Sequence, residues 1–141
     1  FASYTDSQYA IALANGTLAL DLALHALELG SGDEVIVTSR TFIASISSII
    51  NAGATPVFAD VELDSQNISA KTIKAVLTKK TKAIICVHLS GWPCEMDDIM
   101  TLKQKIFMLS KIALKRTALN TKAAPSAVLV ISVLGHFAKI K

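Results

Sequence analysis

The sequence lacks the long apolar runs and the closely spaced cysteines that mark membrane and disulfide-linked proteins. Its longest apolar run near the carboxyl terminus, Ala127–Ile131, is far shorter than the roughly 18 residues of a membrane span. The two cysteines, Cys86 and Cys94, are too far apart for a Cys-x-x-Cys site, and no secretory leader precedes them. We therefore expect no membrane-bound segment and a reducing, cytoplasmic setting.

Histidine clusters and mixed basic and aromatic clusters are also absent, which argues against metal and nucleic-acid binding. His25 lies on a predicted helix without a cysteine or a second histidine nearby, so a structural role is favoured over a metal ligand. Lys79, Lys80 and Lys82 form a short basic cluster with no aromatic residue between them. This pattern is more typical of a solvated loop than of a nucleic-acid surface. We assign no metal ligand and no nucleic-acid partner.

Short apolar runs are the main feature that the sequence does contain. The 141 residues are 52% hydrophobic and 18% charged, which suits one domain with a substantial core. Four of these runs have the length of strands: Tyr9–Ala14, Glu34–Thr38, Ala54–Asp60 and Ala83–Val87. Nearly continuous apolar runs are typical of parallel strands that are covered on both faces. We predict a three-layer α/β fold, with a parallel sheet between two layers of helices.

Four helices are predicted between and after these strands. Leu18–Leu29 is apolar nearly all round, which indicates a mostly buried helix. A second helix begins near residue 42 and continues to residue 50. A third, Ala70–Leu77, has Ser69 as its N-cap. The fourth, Glu95–Lys105, carries acidic residues in its first turn, where the helix dipole favours them.

The turn Asn15-Gly16, between the first predicted strand and the first helix, is a candidate anion site. The first N–H groups of a helix have no backbone partner, and the helix dipole adds partial positive charge there. Gly16 lets a ligand approach the backbone without a Cβ in the way, and the Thr17 hydroxyl offers one more donor. Phosphate is the natural ligand of such a turn. A strand, Asn-Gly and a helix also form a common α/β corner without any ligand.

Five segments occur in an order that is similar to a known family: YAIALANGTLALDLAL, GSGDEVIV, RTFIAS, NAGATPVFADVE and TKAIICVHLSGWPCEMD. The sequence from Phe1 to Lys105 resembles the sugar aminotransferases of the DegT/DnrJ/StrS type, which use pyridoxal 5'-phosphate. The resemblance implies the first half of the large domain of a fold type I enzyme. It also implies transfer of an amino group from an amino acid, usually glutamate, to a keto group of a nucleotide-linked sugar, as in surface polysaccharide biosynthesis. Members of the family are homodimers with sites shared between subunits.

The resemblance assigns cofactor-binding roles to three residues. It places Gly16 and Thr17 at the cofactor phosphate, and it stacks Phe42 on the pyridine ring. From the residues alone, Phe42 is better explained as a core residue at a helix start, and the resemblance reverses that preference. His88 follows the fourth strand at the edge where ligands of α/β sheets bind, but we assign it no chemical step. The covalently bound lysine and the carboxylate facing the pyridine nitrogen are implied after residue 105, where neither is recognisable, so no catalytic residue is assigned.

The composition changes at Ile106, which divides the chain into two parts, 1–105 and 106–141. The second part, the tail, contains no acidic residue but six basic ones: Lys111, Lys115, Arg116, Lys122, Lys139 and Lys141. Ile106–Leu119 has some of the helical spacing of a membrane-surface or nucleic-acid-binding helix. We favour another explanation, namely that the tail is a shifted reading frame.

The genetic code supports a frame shift. With the codons read one base earlier, Lys111–Ala118 permits EDCAQAHG and His136–Lys141 permits SFCQDK. The first string resembles the family motif whose Asp faces the pyridine nitrogen, and the second resembles the motif that ends in the cofactor-binding lysine. Two matches in the right order and in one frame are hard to obtain by chance. Lys141 is then no evidence for a catalytic lysine, and the tail is expected to fold poorly and bind nothing specifically.

Two functions of different class remain open at this point. The chain is either a family member that is an inactive fragment, or a small non-catalytic α/β phosphate-binding module with a basic tail. The first residue is Phe1 rather than Met, and Phe1–Tyr4 resembles the end of a helix. We therefore expect an N-terminus that is truncated or processed.

Overall fold

One five-stranded sheet forms the centre of the protein. The computed structural model describes residues 11–102 with their side chains and, beyond them, the backbone of two further strands. The strands lie in the order β2-β1-β3-β4-β5, and all neighbours are parallel except β4 and β5. Their bounds are β1 Glu34–Thr38, β2 Thr55–Ala59, β3 Thr81–His88, β4 Phe107–Ala113 and β5 Leu129–Leu134.

Four α-helices are described, two on each face of the sheet. Residues of α1 and α2 share one core cluster, and residues of α3 and α4 share the other. This arrangement confirms the predicted three-layer α/β fold, to which β5 adds an antiparallel edge strand. The bounds are α1 Gly16–His25, α2 Ala44–Asn51, α3 Ala70–Val76 and α4 Met96–Met100.

The central strands are buried on both faces, as their continuous apolar sequences indicate. In β1, Val35 and Val37 pack in the cluster beneath α1 and α2, whereas Ile36 packs in the cluster beneath α3 and α4. In β3, Ile85 belongs to the first cluster and Ile84 to the second. Successive side chains of a strand point to opposite faces, so each strand needs an apolar residue at every position.

The strand order creates a topological switch point between β1 and β3. The chain leaves β1 through α2 toward β2, on one side, and leaves β3 through α4 toward β4, on the other. At such a point the connections diverge and leave a crevice beyond the carboxyl ends of the two strands. The residues that follow Thr38 and His88 therefore flank the place where a ligand of this sheet is expected.

Two predictions about the first elements are wrong. Residues 11–13 of the predicted strand Tyr9–Ala14 are not in a strand, and Ile11 and Leu13 are exposed; Tyr9 and Ala10 lie outside the described residues. A strand needs a hydrogen-bonding partner, and no described strand pairs with these residues. Helix α1 is also shorter than Leu18–Leu29, and its two buried residues, Leu20 and Leu24, lie on one face.

The later elements differ mainly in length. Strands β2 and β3 lie within two residues of the predicted bounds, and Ser69 caps α3 through a capping box with Thr72. Helix α4 ends at Met100 rather than at Lys105, and residues 103–105 lie outside the described part of the chain. No helix in the described part has the length and hydropathy that crossing a bilayer requires.

The tail contributes two strands, although we expected it to fold poorly. β4 extends the sheet beside β3 from Ala83↔Phe107 to His88↔Ile112, and β5 pairs with β4. For these two segments the expectation is wrong. The edge of β3 presents unpaired N–H and C=O groups, and an apolar segment can pair with them through its backbone alone.

Candidate functional site

Helix α1 begins at the predicted phosphate corner, with Asn15 as its N-cap. The Asn15 Oδ1 accepts the Leu18 N–H at 3.0 Å, and the Asn15 carbonyl accepts the Ala19 N–H at 3.2 Å. Within residues 11–102, the N–H groups of Gly16 and Thr17 have no hydrogen-bond partner. Thr17 is exposed, so its hydroxyl is accessible. Two backbone donors, a hydroxyl and the helix dipole form a donor set that fits a phosphate.

The same edge of the sheet carries the N-termini of both α1 and α2. Gly30 lies in the turn between α1 and the amino end of β1, and Gly53 lies in the turn between α2 and the amino end of β2. The two glycines are close together, since a Cβ added to Gly53 would lie 3.9 Å from the Gly30 Cα. These two turns therefore lie together at the amino edge. Since both helices run antiparallel to the strands, their N-termini lie at the carboxyl edge, next to the switch point.

Phe42 lies in the connection between β1 and α2 and is 64% exposed. The connection is fixed by local hydrogen bonds: the Thr38 Oγ1 accepts the Arg40 N–H at 3.1 Å, and the hydroxyls of Thr41 and Ser45 lie 2.9 Å apart. An exposed ring is not part of the core, so the explanation of Phe42 as a core residue is wrong. Its role in stacking on a cofactor ring stays a prediction.

Residues 88–94 lie on the other side of the switch point, and we call them the β3 loop. It contains a single 3₁₀ turn, Leu89–Gly91, closed by a hydrogen bond from the Trp92 N–H to the Leu89 carbonyl at 2.9 Å. Ser90 and Gly91 both have positive φ, 54° and 85°. The left-handed region costs a non-glycine residue such as Ser90 roughly 1–2 kcal/mol. The surrounding contacts must therefore hold this loop in its shape.

His88 holds the far end of the β3 loop. It is buried, and its Nδ1 accepts the Cys94 N–H at 2.9 Å. Burial lowers the pKa of His88 below its ordinary value. A ring nitrogen that accepts an N–H carries no proton, so the imidazole is neutral with its proton on Nε2. His88 thus anchors the loop, a role that no local sequence pattern indicates.

Neutral His88 makes stability depend on pH in a defined direction. Below about pH 6.5 the unfolded chain binds a proton at this residue before the folded chain does, because the folded pKa is depressed. The free energy of unfolding is therefore expected to fall as the pH drops below about 6.5, by up to about 1.4 kcal/mol per pH unit, and to lose this dependence above it. Urea unfolding between pH 5 and 8 measures it.

Two variants isolate the contribution of His88 from that of the carboxylates. His88→Asn keeps an acceptor near the Nδ1 position but does not titrate, so its stability curve is expected to be flatter between pH 5 and 7. His25→Asn, at an exposed position, serves as the control and should follow the original chain. A His88→Asn curve that is parallel to the original would show that His88 binds its proton equally well in both states.

Cys86 and Cys94 are buried free thiols in the core cluster beneath α3 and α4. Burial raises the pKa of Cys86 to about 12 and that of Cys94 to about 11. The Cys94 Sγ donates to the Val87 carbonyl at 3.4 Å. Both thiols are thus protonated near neutral pH and have structural rather than nucleophilic roles.

Residues 1–109 match the model of the DegT/DnrJ/EryC1/StrS aminotransferase family. The chain belongs to this family. The match ends four residues beyond the predicted boundary at residue 105 and confirms the resemblance on which the site was predicted.

Individual family members share both sequence and fold with this chain. GDP-perosamine synthase of Escherichia coli O157:H7 is 45% identical over 115 residues, which are 80% of this chain and 32% of that protein. An aminotransferase from Psychrobacter cryohalolentis superposes with a TM-score of 0.75 at 62% identity, over 77% of this chain and 28% of that one. NtdA from Bacillus subtilis, solved with bound PMP, superposes with a TM-score of 0.73 at 31% identity, over 77% and 26%. The chain therefore spans less than a third of the length of these family members.

The topology places two of the predicted site features at one edge of the sheet, and the structure shows one contact to the β3 loop that we did not predict. Gly16 and Thr17 open α1, and Phe42 precedes α2, both at the carboxyl edge. The unforeseen residue is Asn67, whose side chain contacts the β3 loop. Asn67 lies more than 20 positions away in sequence, and no local pattern signals such a contact.

Proposed function

We propose that this chain is the part of a pyridoxal 5'-phosphate-dependent sugar aminotransferase that holds the phosphate and the ring of the cofactor. The whole enzyme would move an amino group from an amino acid, usually glutamate, to a nucleotide-linked keto sugar. One observation carries the proposal: the topology puts the start of α1, where the N–H groups of Gly16 and Thr17 have no partner within residues 11–102, at the same edge of the sheet as the exposed Phe42. Family membership supports it.

Each of these residues has a physical task in the proposal. Gly16 and Thr17 donate their backbone N–H groups to the phosphate, and Thr17 adds its hydroxyl. Asn15 fixes the direction of these donors, because its side chain already holds the next N–H of the helix. Phe42 lies against the ring and restricts its tilt, which is worth about 0.5–1.5 kcal/mol for an aromatic pair. The cofactor itself supplies the electron sink that amino transfer requires.

The chain alone does not carry out the transfer in this proposal. No lysine or carboxylate of the tail matches the family motifs for covalent cofactor binding and for the pyridine nitrogen. The other candidate, an independent phosphate-binding module with a basic tail, has no support from the comparisons, since family membership accounts for residues 1–109. We extend the proposal to a cytoplasmic setting and to the homodimers that are usual in the family.

The tail remains, in this proposal, a shifted reading frame of the family's catalytic part, with the shift after residue 109, where the family match ends, rather than at Ile106. Its lack of Asp and Glu and the two motifs recovered in one alternative frame support it. The encoding DNA tests it directly: the frame one base before the Ile106 codon should spell an EDxAQ-like motif at Lys111–Ala118. If that frame spells another sequence, the tail has a different origin.

Phe42→Ala tests the ring contact. Pyridoxamine 5'-phosphate is the suitable probe, because it has no aldehyde that would react with surface lysines. We expect the dissociation constant to rise about 2–13-fold, which corresponds to the loss of one aromatic pair. The free energy of unfolding should change by less than about 0.5 kcal/mol, because the ring is exposed. Equilibrium dialysis and urea unfolding give the two values.

Phe58→Ala is the matched control, since Phe58 is a second exposed phenylalanine and lies in the edge strand β2. Its affinity for pyridoxamine 5'-phosphate should equal that of the original chain. Equal affinity in Phe42→Ala as well would remove Phe42 from the proposed site.

A further inference from the structure

We propose that Asn67 is a positioning residue of the candidate site, because its side chain sets the shape of the β3 loop. Both halves of its amide are used. The Asn67 Nδ2 donates to the Trp92 carbonyl at 2.9 Å, and the Asn67 Oδ1 accepts the Leu89 N–H at 3.0 Å. The side chain thus joins the first and last residues of the turn and closes it from one side.

The β3 loop has few contacts of its own that would hold this shape. Residues 90–93 are exposed, and Trp92 is 66% exposed. Ser90 and Gly91 adopt left-handed backbone angles, which an isolated turn would not keep at Ser90. Beyond the turn, His88 anchors Cys94. Asn67 is the described side chain that bonds across the turn itself.

Asn67 is itself held firmly enough to act as a clamp. Only 1% of it is exposed, and the neighbouring Ile68 is equally buried. Its backbone is fixed in the connection after β2: the Asn67 carbonyl accepts the Glu62 N–H at 2.9 Å, and the Asn67 N–H donates to the Ser65 Oγ at 3.3 Å. A buried amide with both groups satisfied keeps one rotamer, so its partners are held in one geometry.

The position of the β3 loop gives the clamp its functional meaning. The loop follows β3 at the switch point, beside the β1 connection that carries Phe42. A ligand in this crevice meets the exposed residues 90–92 in the one shape that Asn67 fixes. The inference thus has two halves. The structural half, that Asn67 shapes the β3 loop, stands on the contacts of Asn67 alone. The functional half, that the shaped loop contacts a bound ligand, rests on the proposed function.

Amide hydrogen exchange of the 141-residue chain tests the structural half. The Trp92 and Cys94 N–H groups bond to Leu89 and His88, so substitution of Asn67 deletes neither bond. In Asn67→Ala we expect both amides to exchange at least tenfold faster relative to the amides of β3. If this variant does not fold, Asn67→Asp decides, since it keeps the acceptor for Leu89 and loses the donor to Trp92. In Asn67→Asp the Trp92 amide should exchange faster, whereas the Leu89 amide should stay protected.

Ile49→Val is the control for a general loss of stability, because Ile49 is fully buried in the core cluster beneath α1 and α2, whereas Cys94 of the loop belongs to the other cluster. This control should accelerate the hydrogen exchange of the loop amides and of the β3 amides by the same factor. An equal factor in the Asn67 variants, or no acceleration, would overturn the proposal, since Asn67 would then only contribute to global stability.

Pyridoxamine 5'-phosphate separates the functional half from the proposed function. In the original chain its binding should slow Trp92 amide exchange at least threefold, and this effect should be absent in Asn67→Asp. Binding without any change at Trp92 would overturn the role of the loop in the site. No binding at all would contradict the proposed function, and the exchange ratios would still decide whether Asn67 shapes the loop.

Discussion

Leu24→Ala is expected to lower the free energy of unfolding by about 2–5 kcal/mol. Leu24 is fully buried on the inner face of α1, in the core cluster that α1 and α2 form on the sheet. Removing its side chain loses the transfer free energy of the deleted carbons and leaves a cavity that close-packed neighbours fill only in part. The loss also loosens the helix whose first turn forms the proposed phosphate site. Urea unfolding followed by circular dichroism measures it.

Leu22→Ala is the matched control on the same helix. Leu22 is 46% exposed on the opposite face, so its truncation should change the free energy of unfolding by less than about 1 kcal/mol. A similar loss in both variants would contradict the one-sided burial of α1. It would mean that a further element covers the outer face of the helix in solution.

Thr17→Ala is expected to weaken binding of pyridoxamine 5'-phosphate by about 1.5–3 kcal/mol, the value of a hydrogen bond to a charged group. Thr17 is exposed at the first turn of α1 and contributes its hydroxyl beside two backbone N–H donors. Alanine is a good helix former, so the helix itself should persist. Equilibrium dialysis at constant ionic strength gives the affinity, and circular dichroism verifies the helix content.

Thr17→Ser provides the rescue, because serine restores the hydroxyl without the methyl group. Its affinity should lie within a factor of about three of the original, a difference of roughly 0.6 kcal/mol. Affinities that are equal in the alanine and serine variants would show that the hydroxyl does not bind the phosphate. The backbone donors of Gly16 and Thr17 would then remain as the only protein groups of the predicted contact.

Much of the sheet could be predicted because its central strands are short apolar runs with clear ends. Glu34–Thr38 is found with its predicted bounds, and β3 extends Ala83–Val87 by two residues before it and one after it. Burial on both faces leaves no polar alternation in such strands, so the pattern alone identifies them. The predicted α/β class followed from the alternation of these runs with helices.

The first strand and the outer face of α1 could not be predicted from local sequence. Residues 11–13 have a strand-like composition, but no described strand pairs with them. Leu18 and Leu22 have the apolar character of buried residues, yet each remains nearly half exposed. In both cases the outcome depends on whether a distant partner is present, which the hydrophobic pattern of one segment does not show.

The candidate site could be predicted only in part from the sequence. The helix start at Gly16 and the aromatic residue at Phe42 were signalled by local patterns and by the family resemblance. Asn67 was not, because its contacts with Leu89 and Trp92 join segments that are 22 and 25 residues apart. The burial of His88 and its bond to Cys94 likewise depend on how the β3 loop folds back on the strand.

The most direct test of the proposed function compares two ligands that differ only in a phosphate. Pyridoxamine 5'-phosphate and pyridoxamine share the ring, and neither has an aldehyde that reacts with lysine. If the N-terminus of α1 holds the phosphate, the phosphorylated ligand should bind the 141-residue chain at least tenfold more tightly, by about 1.4 kcal/mol or more, and Thr17→Ala should reduce that preference. Equal affinity for the two ligands, or a preference that Thr17→Ala leaves unchanged, would contradict the proposal.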